Sequence, residues 1–324
     1  MALLPRVAAV LALSTVALAQ STSRTFHLNL DPSTSGLNEI VTLIRTLDVN
    51  TVSADPSQMT VTVSGSNDEL ALAAWLIEQL ESTDPRPAVA PFTINNDSVR
   101  IFFLSHTPAQ VSMNEFVTIL RTVADIQRVF NYTARRAVVI RTSTANAQLA
   151  EWLAQKLDVA PDAHVAVERI DFRLSRCATG IVEVAFLSHP VSQMGLNEIV
   201  TTLRAVGDIQ RVFTHSGPPQ AIVFASCDPQ AHLADWLFQQ IDQVPAAQLR
   251  AEKHEYLMPN SDAPVARVYY LNQDVQSSQA LVTTIRSVAK VPRIFYCGDS
   301  RTLSLRATPD LVAIADRIIQ ERGQ

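Results

Sequence analysis

The chain has 324 residues, 47% of them hydrophobic and 18% charged, which excludes a disordered polymer and suggests two or more domains rather than one core. A formal charge of −5 and only eight glycines exclude the basic footprint of a dedicated nucleic-acid binder and leave little material for glycine-rich phosphate loops.

Residues 1–19 read as a secretory signal. Arg6 gives the positive start, Val7 to Leu18 the short apolar run, and Ala17-Leu18-Ala19 the small-residue cleavage pattern, which would leave Gln20 or Ser21 first. No later run reaches the ~18 apolar residues of a membrane helix. The expectation is an exported protein without a membrane span, in the periplasm or outside the cell.

After this leader the sequence repeats itself. Ile101 to Phe130 returns as Val184 to Phe213, with Phe-Leu-Ser-His and Asp-Ile-Gln-Arg-Val-Phe identical in both, and looser copies begin near Phe26 and Val268. In the first copy, Thr25 to Leu30 reads as a strand. Leu37, Ile40, Val41, Ile44 and Leu47 follow at helical spacing. Asn50 to Ala54 and the alternating Met59, Val61 and Val63 read as two further strands. Ser66 or Asn67 then caps a helix presenting Leu70, Leu72, Ala73, Leu76, Ile77 and Leu80.

The order is β-α-β-β-α, expected over 20–84, 92–159, 165–244 and 254–324. The predicted class is α+β: four tandem repeats, each a small three-stranded sheet with both helices on one face. The linkers have room for an added strand, at Phe92 to Ile94 through an Asn95-Asn96-Asp97 turn and at Val165 to Leu174. In the later repeats Thr144 and Asp228 are expected to cap the second helix. The units are expected to behave as beads with some contact between repeats.

Two anchors recur in register. Arg45, Arg121, Arg204 and Arg286 share one position of the first helix; Trp75, Trp152 and Trp236 share one of the second, where the fourth repeat has Arg317. The tryptophans are expected to pack that helix onto its sheet or onto a neighbouring repeat. Arg121, Arg128, Arg204 and Arg211 form a recurring polar set, either pairing with Asp125 and Asp208 or presenting a face to a protein partner, and they are the candidate partner-binding residues.

His106 and His189 follow the first strand beside a proline and are expected to cap loop backbone. Glu39, Glu115 and Glu198 open the first helix, where its dipole favours a carboxylate. No second carboxylate keeps register with them, and no Gly-x-Ser-x-Gly occurs, so no catalytic residue, cofactor or metal site is assigned. Cys177, Cys227 and Cys297 allow at most one intrachain disulfide.

The opening strand Phe26-His27-Leu28, the helix Leu37 to Leu47, the strand Met59 to Val63 and the helix Leu70 to Leu80 resemble the periplasmic N-domains of bacterial secretins. Those are KH-like modules that build rings. The resemblance implies a non-enzymatic scaffold of the cell envelope that self-associates or docks protein partners. The secretin barrel has no counterpart here, and a Gly-x-x-Gly clamp for RNA is absent. The rival expectation is a periplasmic peptide- or glycan-binding module using a groove between repeats.

Overall fold

The computed structural model describes residues 22–322 except 29–33, 83–86, 107–109, 162, 164–165, 175–176, 244–252, 259 and 272–273, so the signal segment expected at 1–19 lies outside the described residues. The β-α-β-β-α order is present four times. Repeat 1 comprises β1 (Thr22–His27), α1 (Thr34–Thr46), β2 (Thr51–Asp55), β3 (Thr60–Gly65) and α2 (Asn67–Glu81). Repeat 2 adds a strand in front: β4 (Val89–Ile94), β5 (Asp97–Phe103), α3 (Gln110–Thr122), β6 (Arg128–Tyr132), β7 (Ala137–Thr142) and α4 (Thr144–Leu157). Repeat 3 has β8 (Glu168–Asp171), β9 (Gly180–Phe186), α5 (Gln193–Ala205), β10 (Arg211–His215), β11 (Ala221–Cys227) and α6 (Asp228–Ile241). Repeat 4 has β12 (Lys253–Leu257), β13 (Val265–Tyr270), α7 (Val275–Val288), β14 (Arg293–Cys297), β15 (Thr302–Ala307) and α8 (Pro309–Arg322).

Each sheet is antiparallel, with the third core strand in the middle: β1-β3-β2, then β4-β5-β7-β6, β8-β9-β11-β10 and β12-β13-β15-β14. The added strand flanks the first core strand in repeats 2, 3 and 4. Between β4 and β5 the chain turns on Asn95 and Asn96, at φ 48° and 69°, as a two-residue hairpin with two left-handed residues requires.

Local chemistry explains the ends of the helices. Ser66 and Glu69 form a reciprocal capping box at the start of α2, the Ser66 N–H donating to Glu69 Oε2 at 2.7 Å and the Glu69 N–H to Ser66 Oγ at 3.3 Å. The cap of α4 is Ser143 rather than Thr144, because the Ser143 hydroxyl reaches the Asn146 N–H. Asp228 stands inside the first turn of α6, after Cys227, where it meets the helix dipole instead of capping. After the first helix of every repeat the chain reverses through a left-handed residue: Asp48, Asp125, Asp208 and Lys290, with φ of 66°, 58°, 62° and 56°.

The recurring arginine of that helix is a tie within its own repeat. Arg45, Arg121, Arg204 and Arg286 donate from Nη2 to the carbonyls of Val52, Val129, Val212 and Ile294 at 2.8, 3.1, 2.9 and 3.0 Å. Each thus fastens the helix to the second core strand.

The chain divides into two compact units, Met1–Glu81 and Ser82–Gln324. The second differs from a row of beads. One core contains the α3 and α4 residues Phe116, Leu120, Leu149 and Leu153 together with Val182, Val184, Phe186, Ala221, Val223 and Ala225 from the sheet of repeat 3. A second joins Leu196, Leu203, Leu237 and Phe238 of α5 and α6 to Ala266, Val268, Tyr270 and Cys297 of repeat 4. The sheets of repeats 3 and 4 are therefore covered on one face by their own helices and on the other by the preceding repeat. Every residue of β9 is buried.

Candidate interaction surfaces: the joints between repeats

The polar side of the two joints is built from residues that recur in sequence. Glu115, on α3, accepts the Ser216 N–H at 2.8 Å from the turn after β10. Glu198, at the same position of α5, accepts the Gly298 N–H at 2.6 Å from the turn after β14. Each carboxylate satisfies a half-buried backbone donor about a hundred residues further along, a charge-assisted bond stronger than a neutral one. The 3–4 joint adds Asp299, whose Oδ2 accepts from Ser192 Oγ at 2.9 Å at the N-terminus of α5. A β-carbon on Gly195 would crowd Asp299 Oδ2, so a larger residue there would make that carboxylate shift. Tyr270 Oη donates to the Gln240 carbonyl at 2.9 Å.

Two of the three tryptophans serve the same joints. Trp152, half-buried, packs against the core shared with repeat 3, as do Ile170 and Phe172. Trp236 lies 5.5 Å, centroid to centroid, from Tyr256 on β12.

The four candidate arginines are placed differently. Arg121 and Arg204 make the intra-repeat ties above. Arg211 Nη2 meets Asp125 Oδ2 at 3.0 Å, across the 2–3 joint. Arg128 Nη1 is 3.4 Å from Asp97 Oδ2, which also takes Arg141 Nε at 2.9 Å. The loop histidines sit beside carboxylates that the sequence reading missed. Asp158 accepts the Ser105 and His106 N–H groups at 2.7 and 2.8 Å, and Asp242 accepts the Ser188 N–H at 2.9 Å. The signal was an aspartate at the same place after both second helices.

A second polar register links the first core strand to the second helix. Arg100 pairs with Glu151. At the matching positions Arg267 meets Asp316 at 2.5 Å and also Glu255 on β12. Repeat 3 reverses the sign: Glu183 is 1% exposed, 3.7 Å from Arg169, which itself holds Asp235 at 2.9 Å. Burial, then the neighbouring Asp235, pushes the Glu183 carboxyl up to about 8 against the pull of Arg169. A raised carboxyl favours folding fully below its unfolded pKa of 4.5, and that contribution is lost as pH rises through about 8. We expect urea midpoints to fall between pH 5 and pH 9 in the native chain and much less in Glu183→Gln, a difference of roughly 2–4 kcal/mol at about 1.4 kcal/mol per unit. Equal pH dependence in the two proteins would refute the assignment.

Two further groups border the joints. His215 is 3% exposed, with Nδ1 4.0 Å from Glu115 Oε2, and burial holds it down at about 4, so it is neutral at pH 7. Cys297 is buried, and burial pushes its thiol up to about 11. Native protein at pH 8 should therefore not react with an aromatic disulfide reagent, whereas unfolding without reductant should release one reactive thiol. Prompt native labelling would place Cys297 at the surface. The other two cysteines, Cys177 and Cys227, form a disulfide with Cα atoms 6.0 Å apart.

Open hollows of about 260, 360 and 370 Å³ line repeat 3 and its borders; the last gathers Pro161, His189, Ser216 and Pro218. None of the three is lined by tryptophan or tyrosine. Among the described residues no group of three metal-ligating side chains converges, and no helix is long and apolar enough to cross a membrane.

Among solved structures the chain is similar to N-terminal domains of secretins. The N-terminal domain of the secretin XcpQ from Pseudomonas aeruginosa matches at 17% identity over 43% of this chain and 63% of that one, with a TM-score of 0.20. Aeromonas hydrophila ExeD matches at 11% identity over 89% and 59%, with a TM-score of 0.18. An enterotoxigenic Escherichia coli pilotin–secretin complex, AspS–GspD, matches at 15% identity over 74% and 43%, with a TM-score of 0.17. The chain thus spans less than two thirds of the length of each matched structure, and similarity at this level transfers no activity or partner. No family model matches the sequence, and no curated protein matches it.

Proposed function

We propose that this chain is an exported, non-enzymatic scaffold of the bacterial cell envelope that docks protein partners on secretin-N-like repeats, of which repeats 2, 3 and 4 are joined through shared cores. The observation that supports it most is the use made of the recurring polar residues: Glu115, Glu198, Asp125 and Arg211 hold one repeat to the next. The Cys177–Cys227 disulfide fits an oxidising compartment.

The same residues argue against head-to-tail growth. In repeat 4 the joint positions of Glu198, Asp208 and Trp236 carry Ala280, Lys290 and Arg317. In repeat 1 the sheet face away from its helices carries Ser23, Thr25, Thr60, Thr62, Ser64, Thr51 and Ser53 where repeat 3 has Val182, Val184 and Val223. A sheet face of hydroxyls offers little apolar area on which another repeat could stack. The partner is therefore a different protein, and Arg128 stays a candidate contact.

The test is cell fractionation with a tagged chain, followed by crosslinked pull-down from envelope extract and sedimentation of the pure protein at micromolar concentration. We expect a processed, envelope-located chain, monomeric alone and recovered with a defined protein partner. A cytoplasmic chain, or one that elongates into oligomers, would contradict the proposal. The rival groove reading gains support from none of the three hollows. Saturable binding of a muropeptide or oligosaccharide by the monomer would favour it.

A further inference from the structure

The added strand is the feature that differs among the sheets. In repeats 2, 3 and 4 a strand lies antiparallel along the outer edge of the first core strand: β4 on β5, β8 on β9, β12 on β13. Among the described residues no strand pairs with the same edge of β1 in repeat 1, and Thr22 to Arg24, Thr25 and His27 are exposed.

Backbone direction shows that this edge is set up to pair. The Leu28 N–H donates inward to the Met59 carbonyl at 3.0 Å, so in an antiparallel ladder Ser23, Thr25 and His27 turn their N–H and C=O groups outward. The matching residue of repeat 2, Phe103, donates outward to the Ala88 carbonyl at 3.0 Å in the approach to β4.

In two of the three added strands a complementary charge lies at this register, and in repeat 2 Pro91 stands across from Arg100. In repeat 3 Arg169 of the added strand stands directly across from Glu183; in repeat 4 Glu255 stands directly across from Arg267. The repeat 1 residue in this register is Arg24. The second helix supplies Glu151 and Asp316 to this position in repeats 2 and 4, but has Ala74 in repeat 1. Arg24 lies 4.9 Å over the Phe26 ring, and among the described residues no carboxylate is paired with it. A second copy cannot supply one from its own β1, since Thr22–His27 contains no Asp or Glu, and residues 1–21 contain none either.

We infer that the open edge of β1 receives an antiparallel strand from another protein, with an acidic residue of that strand opposite Arg24. This rests on the scaffold reading and names the docking mode. Main-chain bonds would hold the strand, and the carboxylate would set its register.

The test titrates the full chain with two labelled nine-residue peptides of alternating threonine and valine, one with a central glutamate and one with a central lysine. We expect the glutamate peptide to bind at least about tenfold tighter and to slow amide exchange at Ser23, Thr25 and His27. Arg24→Glu should invert the preference. Thr25→Pro, which deletes an outward donor on an edge strand where proline is tolerated, should abolish binding. If that variant does not fold, Arg24→Glu decides alone.

Equal binding of both peptides, protection elsewhere than β1, or a preference unchanged in Arg24→Glu would overturn the inference, as would dimerisation through β1. An envelope partner that still binds Arg24→Glu and Thr25→Pro would overturn this docking mode and leave the scaffold reading standing.

Discussion

Replacing Val184 with aspartate will destabilise the chain by at least ~3 kcal/mol, whereas Thr25→Asp, at the matching position of repeat 1, will cost within about 1 kcal/mol. Val184 is fully buried on the face of β9 turned away from its own helices, inside the core that α3 and α4 of repeat 2 supply. A carboxylate there has no partner and no water. It must either stay ionised at a prohibitive cost or be neutralised, and the joint opens instead. Thr25 is exposed and bonds Thr62 at 2.9 Å on a face of hydroxyls. Urea unfolding followed by tryptophan fluorescence reads both variants. A small effect at Val184 would mean that repeats 2 and 3 fold without leaning on each other.

The second large effect concerns the disulfide. Cys177–Cys227 closes a loop of sequence separation 50 and ties the approach to β9 to the end of β11. The chain-entropy relation assigns such a loop about 4 kcal/mol of restriction on the unfolded state. The Cys177→Ala/Cys227→Ala variant should therefore lose roughly 2–4 kcal/mol. Mild reductant should lower the native midpoint by the same amount and leave the variant unaffected. Because Cys177 also packs at the core shared by repeats 2 and 3, the loss should extend to repeat 2. A native midpoint insensitive to reductant would remove the disulfide from the account.

The repeats and their class were legible because hydrophobic period and turn chemistry agree. Leu37 to Leu47 keeps helical spacing, and Thr60-Val61-Thr62-Val63-Ser64 alternates as a strand with one face open must. The joints were legible in part. Ile181-Val182-Glu183-Val184-Ala185-Phe186 is apolar at nearly every position, and a strand without alternation is covered on both faces. Set against the Thr-Val alternation of β3, that run carries the signal of a stacked sheet, although the repeats were expected to behave as beads.

The purpose of Glu115 and Glu198 was hidden, because each partner is a backbone N–H of a turn far along the chain and no side-chain pattern marks it. Arg121 and Arg204 show that recurrence also marks a shared structural task, since each ties its helix to the second core strand. The swap of Arg100 and Arg267 for Glu183 has no signal within the core strands themselves, because the charge that answers it stands across on the added strand, Arg169 opposite Glu183 and Glu255 opposite Arg267.

The central claim is that repeats 2, 3 and 4 are one cooperative stack. Native-state hydrogen exchange of the full chain tests it most directly, by comparing β7, β11 and β15, the middle strands of the three sheets. The account predicts that their slowest amides exchange through one opening of common free energy, and that Val184→Asp lowers all three together. Three distinct opening free energies, with only the β11 amides responding to Val184→Asp, would contradict it.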